Sequence, residues 1–75
     1  MVKKNKAEVF AVPSSESADA RYHEVAWAKD GNLNASYRRG DLRRFRSGYP
    51  GWLRAKKFAH AKAKELGIKA TIHPY

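Results

Sequence analysis

The chain has 75 residues, a formal net charge of +9 and no cysteine. A chain of this length makes one small domain that buries only about 60% of its unfolded surface, so its stability margin is thin. The composition excludes disulfide staples and thiolate metal sites, and no apolar run approaches the roughly 20 residues needed to span a bilayer.

Residues 1–6 are polar and basic and read as a frayed lead-in. No apolar segment of signal-peptide length follows them, so a cytoplasmic location and no membrane partner are expected. Residues 8–12 are a β-prone run that Pro13 ends. Residues 13–20 are small, polar and acidic, a composition expected of a flexible surface loop. Residues 21–29 predict a second strand, with His23, Val25 and Trp27 on one face and Tyr22, Glu24, Ala26 and Ala28 on the other.

Asp30-Gly31 is a hairpin-turn signal, because Gly adopts positive φ without steric cost. A third strand is therefore predicted over 33–39, where Leu33, Ala35 and Tyr37 alternate with Asn34, Ser36 and Arg38. Residues 40–48 admit two readings. Asp41 caps a single helical turn anchored by Leu42 and Phe45, or Gly40 and Gly48 bracket an extended arginine loop.

Residues 50–67 carry the strongest periodicity. At about 100° per residue Trp52, Ala55, Ala59, Ala63 and Leu66 share one stripe, with Phe58 at its edge. Pro50 suits a first helical turn, and Gly67 suits the left-handed residue that closes a helix. Ile68, Ala70 and Ile72 then alternate with Lys69, Thr71 and His73, which predicts a last short strand ending at Pro74.

The expected fold class is α+β, a small antiparallel sheet of three to four strands with the 50–67 helix packed on one face. Its predicted core is Val9, Val12, Val25, Trp27, Leu33, Trp52, Ala55, Phe58, Ala59, Ala63, Leu66, Ile68 and Ile72. Three strands followed by a helix is also the order of small DNA-binding sheets such as integrase arm-binding and plant AP2-type domains. That analogy is one of architecture alone, with no family motif behind it.

Charge is distributed unevenly. Residues 1–37 hold five bases and five acids, whereas 38–75 hold eleven bases and two acids, so the whole net charge lies in the second half. Clustered cations point to a polyanionic partner. Arg38, Arg39, Arg43, Arg44 and Arg46 fall within nine residues, followed by Tyr49. Arginine suits phosphate because its planar fork donates two parallel hydrogen bonds and stays charged. Arg54, Lys57 and Lys64 lie opposite the apolar stripe of the helix and extend the cationic set. Tyr22, Tyr37 and Tyr49 are candidates for stacking on bases, whereas Trp52 and Phe58 are assigned to the core.

These residues predict a non-enzymatic, largely sequence-tolerant nucleic-acid-binding module for DNA or RNA, monomeric or weakly homodimeric, with no cofactor or metal. The main alternative is a small regulator, of the kind bacteriophages and mobile elements often encode, that docks on an acidic protein. A ribonuclease using His23 or His60 is a third and weaker possibility, since basic chains carry cations near any histidine.

Overall fold

The structure is a computed structural model that describes residues 7–17, 19–28 and 33–75, with backbone alone at 33 and 34. Strands β1 (Glu8–Val12) and β2 (Tyr22–Ala28) pair antiparallel, with Val9 opposite Trp27 and Ala11 opposite Val25. A short helix α1 (Leu33–Arg39) comes next, then β3 (Leu42–Arg46), the long helix α2 (Tyr49–Leu66) and β4 (Lys69–Ile72). The strands form one sheet in the order β3-β2-β1-β4. The α+β class and the single main helix are as expected.

The sheet is mixed, not purely antiparallel. β3 runs antiparallel to β2, but β4 lies parallel to β1, with Val9 opposite Ala70 and Ala11 opposite Ile72. The reason is the route of the chain: α2 carries it from β3 on one edge across to β4 on the other, and such a crossover delivers the next strand in the same direction.

The predicted third strand at 33–39 is a helix instead, and the third strand is the arginine-rich 42–46, which is neither a helical turn nor a loop. An alternation of three apolar positions over seven residues is too short to fix a strand. Local preference then favours the helix, because Leu, Ala and Arg are good helix formers. Gly40, at φ 78°, closes α1: its N–H donates to the Tyr37 carbonyl and the Asp41 N–H to Ser36, the double bond of a Schellman ending. The end of α2 repeats this geometry, with Gly67 and Ile68 donating to Lys64 and Ala63. The turn expected at Asp30-Gly31 and the lead-in at 1–6 lie outside the described residues.

One face of the sheet supports α2. Val9, Ala11 and Val25 meet Trp52, Ala55, Ala59 and Ala63 there, bordered by Trp27, Phe45, Phe58, Ile68, Ala70 and Ile72. The alanine stripe lets the helix axis lie close to the strands. Of the predicted core, Val12 and Leu66 are only half-buried and stand outside this cluster, and the side chain of Leu33 is not among those described. Val12 misses because strand alternation sends it to the opposite face from Val9 and Ala11. That opposite face is partly covered by α1, whose buried Ser36 hydroxyl donates to the Trp27 carbonyl at 2.9 Å over the buried Ala26 and Ala28.

His23 knots three segments together. It is fully buried, and its Nδ1 accepts from the Ser14 N–H at 2.8 Å. Nδ1 is therefore bare, so Nε2 carries the proton and donates to the Gly48 carbonyl at 2.9 Å. Through the first bond, the stretch expected as a flexible loop is tethered; it contains a one-turn 3-10 helix at Ser14–Glu16, and the Ser17 hydroxyl bonds the Tyr22 carbonyl.

Gly51, in the first turn of α2, is buried against the end of β3, where a Cβ would overlap the Arg46 carbonyl oxygen. Alanine in an open helix is worth about 1 kcal/mol over glycine. Here the sign reverses: Gly51→Ala is expected to destabilise the protein by about 1–3 kcal/mol, as overpacking does. Urea unfolding checks it, and an unchanged or raised midpoint refutes the close seating of α2.

Candidate nucleic-acid interface

β3 is an edge strand, and its pleat sorts the arginines. Arg43 and Phe45 point to the α2 side, while Leu42, Arg44 and Arg46 point to the α1 side. Arg38 and Arg39 occupy the last turn of α1, where cations complement the helix dipole, and lead directly into this strand. All five side chains are exposed.

Three of the five are held by partners. The Arg44 Nε donates to Glu24 Oε2 at 3.2 Å, across the register pair Glu24–Arg44; the carboxylate is 3% exposed and the guanidinium 51%. Burying Glu24 is tolerable only with such a partner. The Arg39 Nε donates to Asp41 at 3.0 Å. The Arg43 guanidinium lies over the rings of Phe45 and Phe58, 5.3 and 5.2 Å from their centroids, so the charged head itself covers the edge of the core while the residue stays exposed. Arg38 and Arg46 make no ion pair among the described residues.

Arg54, Lys57 and Lys64 are exposed on α2, on the other side of the sheet from Arg44 and Arg46. The structure therefore does not join all the predicted residues into one surface. It makes two cationic faces that meet along the β3 edge, with Arg43 between them. Tyr49 stands apart at the start of α2, 57% exposed and edge-on to Tyr75 at 5.8 Å.

Tyr22, already a stacking candidate, and Arg21, outside the predicted cationic set, lie beside the arginines here. Tyr22 is the register partner of Arg46 on the α1 side. Arg21 precedes it and donates to both carboxylate oxygens of Asp19, at 3.1 and 2.9 Å. With Ala20 and Ser47 they line a concavity of about 570 Å³. The hydrogen bonds from Arg21 hold the Asp19 carboxyl at about 2, so this pair stays ionised in neutral solution. Arg21 went unnoticed because it lies in the half of the chain whose charges cancel. Its only sequence signal was the D-x-R spacing to Asp19.

His23 cannot serve as a catalytic base in this arrangement, since both ring nitrogens are engaged and no part of the ring reaches solvent. His60 is exposed on α2. Among the described residues no three His, Asp or Glu side chains gather as a metal site, and no helix is long and apolar enough to cross a membrane. The chain matches no family model, no curated protein and no solved structure.

Tyr37 reports on the Glu24–Arg44 pair. Burial raises its phenol above the ordinary value of 10.0, the Glu24 carboxylate raises it further, and Arg44 partly offsets both. A phenol raised in the folded state contributes stability that is whole below pH 10 and is lost as pH climbs through the raised value. Glu24→Gln is expected to lower the Tyr37 titration midpoint. Ultraviolet phenolate absorbance, taken as the difference from Tyr37→Phe, checks this; an unmoved midpoint refutes the proximity.

Proposed function

We propose that this chain is a non-enzymatic nucleic-acid-binding module, largely indifferent to sequence, that contacts phosphates through the end of α1 and the β3 edge. One observation carries this reading: five exposed arginines crowd onto a helix end and the edge strand that follows it. Arg39 pairs with Asp41 and Arg44 with Glu24, while Arg38, Arg43 and Arg46 make no ion pair among the described residues and leave three positive charges facing water. Phosphate contacts from arginine fix position on a nucleic acid but read no bases, which accords with sequence tolerance. Arg54, Lys57 and Lys64 add a second cationic face that attracts a long polyanion through its field.

A second reading draws on a separate observation. β3 is the last strand of the sheet, with no further strand beside it among the described residues, and such an edge can pair with an added strand, which its arginines favour as an acidic one. A partner retained from lysate after nuclease digestion supports that alternative, whereas one lost on digestion supports nucleic acid.

Binding to single- and double-stranded DNA and RNA, measured at several salt concentrations, tests the main proposal. If about six phosphates of a duplex are engaged, log K falls against log salt with a slope near −5. Glutamine at Arg38, Arg43 and Arg54 together is expected to reduce that slope by about 2 to 3, because glutamine keeps the stem and removes the charge. The same change at Lys3, Lys4 and Lys6 is expected to do less. Equal losses from the two triple variants, or no binding to any probe in dilute salt, would overturn the proposal.

A further inference from the structure

The concavity lined by Ala20, Arg21, Tyr22, Arg46 and Ser47 has a composition that narrows the ligand. Its charges are two guanidiniums and one carboxylate. Asp19 binds Arg21 through both oxygens, while Arg46 has no carboxylate partner among the described residues. The net is one positive charge, which suits a phosphodiester monoanion; a pyrophosphate or triphosphate would bring excess negative charge against Asp19. The Ser47 hydroxyl makes no hydrogen bond among the described residues and can donate to a phosphate oxygen beside Arg46.

Flat surfaces supply the second half of the site. The Tyr22 ring forms part of the wall, and the Arg21 guanidinium lies over that ring at 5.7 Å from its centroid. The guanidinium covers part of that ring face, so a nucleobase stacks on the outer plane of Arg21 and on the part of the Tyr22 ring it leaves open, and the bidentate grip of Asp19 fixes the Arg21 plane in advance. A base inside a duplex already has both faces covered by its neighbours, so only an unpaired base can use these planes. Arg44 lies two residues along β3 on the same side, about 7 Å away on a strand, and so reaches a different phosphate from Arg46.

We infer that this concavity takes one unpaired nucleotide unit of a single strand, its phosphodiester at Arg46 and Ser47 and its base against Tyr22 and Arg21. The inference rests on the nucleic-acid reading above and sharpens it to a preference for unpaired strands.

The test uses the full chain and two dye-labelled probes in low salt, a short mixed-sequence single strand and the blunt duplex of that sequence. Tyr22→Leu removes the ring and is expected to weaken the single strand about 5- to 20-fold and the duplex less than about twofold. Tyr22→Phe keeps the ring and is expected to stay within about twofold of wild type on both probes. Arg46→Gln is expected to weaken the single strand about 3- to 10-fold. If the wild-type chain binds neither probe, both the nucleic-acid reading and this inference fall. If it binds both and Tyr22→Leu leaves the single strand unchanged, or weakens both alike, only the inference is overturned. Should circular dichroism show Tyr22→Leu unfolded, Arg46→Gln, at an exposed position, decides by the same comparison of probes.

Discussion

The first turn of α2 rests directly on the carbonyl that ends β3, with nothing but the hydrogen of Gly51 between them. A second tie comes from His23, whose Nε2 holds the Gly48 carbonyl just before the helix begins. Together they fix where α2 starts and the angle at which it leaves the strand. The helix then crosses β2 and β1 on its alanine stripe and sets β4 down parallel to β1. A larger residue at 51 would tilt the helix off the sheet and open the seam at Trp52. The architecture thus turns on one missing side chain and one neutral imidazole.

The arginines of β3 have a structural reason to be there, independent of any ligand. An exposed edge strand invites pairing with other chains, and charged side chains are a common defence. Arg43 roofs Phe45 and Phe58, and Arg44 compensates a carboxylate that burial would otherwise penalise. These duties explain two positions well. They do not explain Arg38 and Arg46, which have neither a ring nor a carboxylate to serve among the described residues. A cation kept without an internal partner is the part of the pattern that points outward.

The long helix was legible because eighteen residues hold one period and end in a glycine, and no other pattern fits that length. β1 and β2 were legible from alternation between clear breakers. The third strand was not, since 33–39 alternates like a strand yet forms a helix, and LRRFR shows no alternation: its one aromatic inward residue is flanked by cations on both sides. The other edge strand, β4, kept its alternation and was legible, so what hid β3 was its run of arginines. The charged segment was recognisable at the level of composition, yet the pleat that divides Arg43 from Arg44 and Arg46 follows only from knowing it is a strand. The concavity was beyond reach altogether, because Arg21 and Arg46 are brought together by register.

Helix α1 stands differently from the rest. Seven residues are too few to hold a helix alone in water, so its form is borrowed from contact with β2. The buried Ser36 hydroxyl holds it to that strand, over a floor of two alanines. Such an element opens at a fraction of the free energy that separates α2 from the sheet. In amide exchange it would form a distinct, early-exchanging unit, releasing Arg38 and Arg39 on a short leash while the four strands and the long helix stay assembled.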